Sequence, residues 1–406
     1  MRLLLHPDWL VDGTGSEVRE HEGVIVADGA IEAVGLIRDL ANLPGLTTIR
    51  LENASLLPGL VNNHVHLNLP GDNTPMVPWL DTQTDASLAL RSAANARRSL
   101  VAGITMVRDC GGRGTTVLDT RDAIEDDLVE GAVILSCGWP ITITGGHTRH
   151  MGGEVDGSDG LRRMVRRLVG LGVDFIKVMA AGGGTPGSLP QFPSFTAEEL
   201  KVVVETSHEL GRKVSMHCIA TESIDRAVAA GADMIEHAMF YGRDLIPRID
   251  EAVAERLARA GTPVTPTLQV ARDLIDNQSP SDDVTLWKER CEKGIEIASR
   301  LRELGVPLLA GSDAGWRATA FDTFWKEVAE LVAVGLTPVQ AIAAATSGPA
   351  RVMGQEQVTG AIRTGLRADL LVVAGNVAED IRCLQRVKAV FQGGQQVVPT
   401  GPVMVA

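Results

Sequence analysis

The sequence predicts an α/β protein: a (β/α)₈ TIM barrel with a small β-sandwich domain built from both chain termini. Three observations carry this expectation. Short apolar runs alternate with amphipathic helical stretches through the middle of the chain, as βα units of a parallel sheet require. About eight such pairs can be counted, the number that closes a barrel. The two ends read instead as short strands and turns, neither long enough for a stable sheet of its own. The expected division is a composite β-domain from 1–58 and 356–406, and a barrel over 59–355.

In the N-terminal piece, Gly23-Val-Ile-Val-Ala-Asp-Gly-Ala-Ile-Glu-Ala-Val-Gly35 alternates, with Asp28-Gly29 as a hairpin turn. Its C-terminal counterpart is Asp369-Leu-Leu-Val-Val-Ala-Gly-Asn, followed by Val387-Lys-Ala-Val-Phe-Gln-Gly-Gly-Gln-Gln-Val-Val398. Between them, the predicted barrel strands are Leu60–His66, Ile104–Asp109, Val133–Cys137, Phe175–Ala180, Lys213–Cys218, Met234–Ala238, Pro263–Leu268 and Pro307–Asp313. Predicted helices include Thr84–Val101, Ser158–Leu171, Thr196–Leu210, Thr221–Ala230 and Asp283–Leu304. Thr196-Ala-Glu-Glu199 fits a capping box, and Gly211 and Gly231 stand where helices should stop. The Pro/Gly-rich stretch Gly182–Pro193 reads as a long βα loop. Its three glycines lack the Gly-Lys-Ser/Thr continuation of a phosphate loop.

The 406 residues are 45% hydrophobic, enough for a large core, and 22% charged. The net charge of −13 argues against nucleic acid, whose binding needs clustered Lys and Arg. No run approaches the roughly 20 apolar residues of a membrane span, and the N-terminus lacks the apolar core of a signal peptide. Cys110, Cys137, Cys218, Cys291 and Cys383 form no Cys-x-x-Cys pair, which points to a reducing, cytoplasmic setting. The expected partner is a small-molecule substrate. Self-association into a homo-oligomer is expected from base rates alone.

Functional side chains of such barrels sit at the C-terminal ends of strands. That filter gathers His64, His66, Lys177, His217, His237 and Asp313. His-x-His on one strand places both imidazoles on one face, since side chains alternate with period two. Lys177 lies in the apolar run Asp174-Phe-Ile-Lys-Val-Met-Ala, where an unpaired ammonium is costly. One resolution is a neutral amine that has reacted with CO₂, giving a carbamate able to bridge two cations. Another is a lysine reaching solvent or a carboxylate. His217 and His237 would then ligate a second metal. Asp313 would bind the first metal and exchange a proton, or cap the next helix.

These residues resemble the amidohydrolase superfamily. The similarity covers the first-strand segment Leu57-Pro-Gly-Leu-Val-Asn-Asn-His-Val-His66, then Lys177, His217, His237 and Gly311-Ser-Asp313 in order. It extends to the tail Gly365-Leu-Arg-Ala-Asp369-Leu-Leu-Val-Val. The segments Ala102-Gly-Ile-Thr-Met-Val-Arg-Asp109, Ile141-Thr-Ile-Thr-Gly-Gly-His147, Ile176-Lys-Val-Met and Ile235-Glu-His237 are similar to the imidazolonepropionase-like branch, and within it to binuclear Xaa-Pro-dipeptidase-like amidohydrolases. The resemblance implies that His147 polarises the scissile carbonyl; read alone, it is equally a loop histidine. A His-x-x-Glu proton shuttle, usual in mononuclear deaminases of the superfamily, is missing: Ala220 follows His217 at that spacing.

The expected activity is therefore metal-dependent hydrolysis of an amide or peptide-type C–N bond by a metal-bridging hydroxide. Dipeptides, N-acyl amino acids and related aryl amides, carbamates or ureas are the candidate substrates. The alternative is a cyclic amidohydrolase or deaminase acting on a ring C–N bond. The imidazole and carboxylate ligands suit two Zn²⁺ ions, with Mn²⁺ or Co²⁺ not excluded. For substrate contacts the sequence offers Tyr241, Arg149 and Arg317. Tyr241 could donate a hydrogen bond or pack at the rim, and either arginine could bind a carboxylate or form a rim ion pair.

Overall fold

Alternation in the first strand sets up two buried clusters at once. Leu3 and Leu5 pack into one with Val24, Val26, Leu56, Leu370 and Phe391, while Leu4 packs into another with Ile25 and Leu40. The computed structural model describes residues 2–277 and 283–399. Its N-terminal strands are β1 (Arg2–Leu10), β2 (Arg19–Glu20), β3 (Glu22–Ala27), β4 (Ala30–Leu36) and β5 (Leu46–Pro58). The central strands are β6 (Leu60–Val65), β7 (Ile104–Asp109), β8 (Val133–Ser136), β9 (Phe175–Met179), β10 (Lys213–Ala220), β11 (Met234–Tyr241) and β12 (Val264–Thr265). The C-terminal strands are β13 (Leu370–Ala374), β14 (Val387–Gln392) and β15 (Gln395–Pro399).

The chain divides into two compact units, Met1–Asn62 with Arg97–Val107 and Asp322–Ala406, and Asn63–Ala96 with Arg108–Phe321. In the first, both termini share one hydrogen-bonded sheet in the order β15-β14-β13-β5-β1-β3-β4, with β2 added on β1. The Asp28-Gly29 turn joins β3 to β4 with φ of +48° and +81°, the left-handed pair that a two-residue hairpin of matching twist needs. Gly393 and Gly394 do the same between β14 and β15, at +55° and +76°.

The second unit carries the parallel strands of the barrel. They run as two open sheets, β6-β7-β8 and β12-β11-β10-β9, rather than as one unbroken ladder. Single backbone bonds link the sheets. Asp174 N donates to Ser136 O (2.9 Å), joining β8 to β9. On the other side, Val264 N donates to Pro307 O (2.9 Å), Leu309 N to Val264 O (2.9 Å) and Asp313 N to His64 O (2.9 Å). The eighth strand expected at Pro307–Asp313 is thus a bridging segment, with isolated bridges at Val264–Leu308 and Val65–Ala314 and a bond from Asn63 N to Ala310 O (3.1 Å). The seventh shrinks from Pro263–Leu268 to Val264–Thr265. Pro263, Pro266 and Pro307 have no N–H to give a ladder, which explains both shortenings.

Helices match the sequence reading closely. Thr221–Ala230 is as expected, and Asp85–Val101, Ser158–Gly170, Ala197–Glu209 and Val284–Glu303 differ by one residue at an end or both. Thr196 and Glu199 form the reciprocal capping box. Gly231 ends its helix at φ +83°, a conformation glycine adopts without steric cost. Among the described residues, no helix is long and apolar enough to cross a membrane.

Candidate metal centre

Five barrel elements bring the predicted ligands together. His64 (β6) and His66, just after it, are both buried, with ring centroids 5.4 Å apart. Lys177 is the third residue of β9 and pairs in register with Ser215 of β10, so both point to the same face. His217 of β10 pairs with Glu236 of β11. His217 lies 4.6 Å from His237 between ring centroids, and His237 lies 5.1 Å from His64.

Simple alternation would send Glu236 and His237 to opposite faces. The backbone prevents this. His237 has φ +70° and Ala238 +49°, and the ladder with β10 slips there. The turn re-aims His237 into the same site that Glu236 approaches from below. Asp313, at φ +59°, is re-aimed in the same way. Left-handed backbone at non-glycine residues is uncommon and concentrates at functional sites, where surrounding structure holds it.

The hydrogen bonds fix which imidazole nitrogens face inward. His64 Nδ1–H donates to Glu236 Oε2 (2.8 Å), and His66 Nδ1–H donates to the Gly111 carbonyl (2.8 Å). Their Nε2 lone pairs then face Asp313 Oδ1, at 3.5 and 3.2 Å. Three electron-rich atoms converge with no proton between them, and Asp313 Oδ1 is a buried acceptor with no hydrogen-bond donor. A cation is what satisfies this arrangement. The same demand shows in His66: burial disfavours its charge, but Asp313 outweighs burial and raises its pKa. Conversely, burial opposes ionisation of Asp313, yet His64 and His66 hold its carboxyl well below the usual range.

The second half of the site is equally starved of partners. Lys177 is fully buried and its Nζ has no hydrogen-bond partner. A buried amine without a partner is costly, so Nζ needs a partner that the side chains around it do not supply. His217 Nε2–H reaches the Gly182 carbonyl (3.1 Å), leaving Nδ1 free, and His237 Nδ1 pairs with Thr267 Oγ1 (2.8 Å). Burial above all lowers the His64 pKa to about 4. Burial, then His64, lowers that of His237 to about 3. These imidazoles are neutral at physiological pH, as metal ligands must be. The donors present fit a divalent cation pair.

His147 enters from the loop after β8, with its ring centroid 4.8 Å from that of His217. Thr185 holds its Nδ1: the hydroxyl lies 2.9 Å away and the Thr185 N–H donates at 3.4 Å. With Nδ1 accepting, the proton of the neutral ring sits on Nε2. Burial, then His217, pushes its pKa well below the ordinary value and keeps the ring neutral.

A cavity of about 270 Å³ opens above these groups. It is lined by the predicted ligands and His147, by Leu69, Met76, Met179 and Met239, and by Tyr241, Trp287, Arg290 and Trp316. Tyr241 therefore reaches the cavity, as the sequence suggested. Arg149 and Arg317 are not among its lining residues. Arg149 bonds the Pro186 carbonyl (3.0 Å), and Arg317 lies over the rings of Trp287 and Trp316. The cavity cation is Arg290 instead. Its signal was faint, because a helical arginine near two acidic neighbours reads as a solvated face.

Sequence reasoning also left Glu236, Arg108 and Asp109 without roles. Glu236 is fully buried and accepts from Arg108, Ser215 and His64. Arg108 donates further to the Asn63 carbonyl (2.7 Å). Asp109 accepts from the Leu67 N–H (2.7 Å) and Gly111 N–H (3.2 Å), bracing the turn that holds His66. Each is a charged residue inside or ending an apolar strand run, and that was the only available signal.

The sequence model of the Amidohydrolase family matches residues 55–397. This chain belongs to the amidohydrolase family. Like others of that family, it is a metal-dependent hydrolase acting on amide-type C–N bonds. The amidohydrolase is 29% identical to ochratoxinase of Aspergillus niger, over 97% of this chain and 86% of the relative. Among solved structures, a Xaa-Pro dipeptidase with methionine in its active site superposes with a TM-score of 0.87 at 27% identity, covering 98% of this chain and 99% of that one. The crystal structure of A. niger ochratoxinase gives 0.84 at 26% identity, covering 98% and 96%.

Proposed function

We propose that this amidohydrolase uses two divalent cations, of which Zn²⁺ suits the donors best, to cleave the amide bond of a small molecule such as a dipeptide or N-acyl amino acid. The observation that carries this is the pairing of two orphaned buried groups, Lys177 Nζ and Asp313 Oδ1, within one ring of four imidazoles. His64, His66 and Asp313 would hold one ion, and His217 and His237 the other. Lys177 would join them after its neutral amine adds to CO₂ and loses a proton, giving a carbamate.

When bound, the ions supply Lewis acidity, lowering the pKa of a water toward neutrality and polarising the carbonyl. The chain's own residues do the rest. Asp313, kept ionised, takes a proton from the attacking water and returns it to the leaving nitrogen. His147 Nε2–H donates to the carbonyl oxygen as charge builds there. The apolar lining excludes water from the reacting groups. Likeness to a structure named as a dipeptidase and holding a free amino acid supports this substrate class. The five cysteines are all buried, which fits a reducing cytoplasm.

The alternative, a cyclic amidohydrolase or deaminase acting on a ring C–N bond, is not better supported. The nearby Glu222 pairs with Arg226 and Arg243 and does not line the cavity. Metal analysis with hydrolysis screening of dipeptides, N-acyl amino acids and aryl amides tests the proposal. Two ions per chain and amide turnover are expected, with Lys177→Ala losing at least one ion and several orders of magnitude in rate. Two tightly held ions and full turnover in Lys177→Ala would sink the carbamate bridge.

A further inference from the structure

Apart from the histidines, three charged side chains line the cavity: Lys177, Asp313 and Arg290. The first two belong to the metal centre. Arg290 does not. It lies on the helix Val284–Glu303 and is half-buried. Its guanidinium carbon lies 4.7 Å from the centre of the Trp287 ring and 5.8 Å from that of Tyr241. It has no carboxylate partner among the described residues. Each of these facts is ordinary alone. Together they describe a cation held between Trp287 and Tyr241, whose hydroxyl takes one of its hydrogen bonds, with no carboxylate partner and the other donors of the guanidinium fork still to place.

We propose that Arg290 receives the free carboxylate of the substrate, so that the amide cleaved is the bond joining an apolar acyl group to an amino acid with an unblocked α-carboxylate. This rests on the amide-hydrolase reading above and narrows it. A planar guanidinium offers paired donors that match both oxygens of a carboxylate. The Trp287 ring on one side and the hydrogen bond to the Tyr241 hydroxyl on the other restrain the guanidinium, so less rotamer freedom is lost on binding. Tyr241 follows His237 by four residues on β11, so the segment that supplies a metal ligand also supplies the cation's aromatic partner. The remaining wall is soft. Met76, Met179 and Met239, with Leu268 and Val270, offer flexible apolar side chains that fit varied acyl groups. The site would therefore be strict about the carboxylate and tolerant of what lies on the other side of the amide.

The test uses a matched pair of probes, N-acetyl-L-phenylalanine and its neutral carboxamide, with the metal-loaded full-length protein. Binding is measured by calorimetry, and hydrolysis in parallel. The free acid should bind the wild type about 10- to 100-fold more tightly than the amide, the range of a charge-assisted contact. In Arg290→Met the preference should vanish, while affinity for the carboxamide stays unchanged and reports an intact cavity. Arg290→Lys should keep part of it. No preference in the wild type, or a preference that survives in Arg290→Met, overturns the assignment; the latter would place the carboxylate on the metal ions. Binding with this pattern but no turnover of any amide would leave Arg290 as the receptor and count against the hydrolytic reading.

Discussion

Glu236→Gln separates the two duties of a buried carboxylate that touches no substrate. Glu236 accepts from Arg108, which is also fully buried, and from His64 Nδ1. Replacing it with an amide keeps the shape and removes the charge. Arg108 is then a buried cation without its counter-ion, at a cost of about 3–5 kcal/mol. That is a large share of a total stability of roughly 5–15 kcal/mol, and translates to a fall in Tm of roughly 4–6 °C for a chain of 406 residues. Independently, His64 loses the anionic acceptor that fixes its tautomer and strengthens Nε2 as a ligand, which should weaken metal binding about 10- to 100-fold. Calorimetric melting of metal-free protein reads the first effect, and competition with a chelator at 25 °C, where the variant is still folded, reads the second. Adding Arg108→Met should recover most of the lost Tm, because the stranded charge is gone, and should not restore metal affinity. Wild-type metal affinity in a folded Glu236→Gln variant would refute the positioning role of this residue.

Three further outcomes follow from the same geometry. Lys177→Ala should bind fewer than two ions per chain by elemental analysis. Metal-free protein should lose stability on acidification from pH 7 toward 4.5. Unfolded imidazoles take their protons near pH 6.5, whereas folded His64 and His237 resist until about 4 and about 3, and His147 and His217 are also lowered. The unfolded chain thus binds more protons in that window, and stability falls with pH. His66, raised by Asp313, opposes the trend but is outnumbered. A urea midpoint that climbs between pH 7 and 4.5 would contradict this balance. Gly183→Ala should cost one to three orders of magnitude in kcat with metal content intact. Its Cβ would lie 2.5 Å from His147 Nε2, so the donor must move; unchanged kcat would remove His147 from the carbonyl.

Much of this protein was legible in its sequence, for identifiable reasons. Period-two alternation placed His64 and His66 on one face, and the apolar setting of Lys177 marked it as anomalous without any coordinates. Glycine and capping signals gave helix ends nearly to the residue, because caps are local chemistry. The eighth strand was over-read, because an apolar run beginning at Pro307 says nothing about whether a neighbour will accept its hydrogen bonds. Glu236 and Arg108 were passed over, because a buried ion pair 128 residues apart in the chain has no local signature. For substrate contacts, proximity to Asp313 and His147 in the chain favoured Arg317 and Arg149, while the cavity holds Arg290.

The order and type of the ligands are written in the sequence: which residues can bind a metal, and that each lies in or at the end of a strand-like run. Their convergence belongs to the tertiary structure. Strand register sets Lys177 beside Ser215 and His217 beside Glu236, and left-handed turns at His237 and Asp313 swing those side chains into the same space. Register and φ are fixed by packing across the whole barrel, not by the residues on either side. For the same reason, only the folded chain shows which arginine, among many, lines the cavity without a carboxylate partner among the described residues.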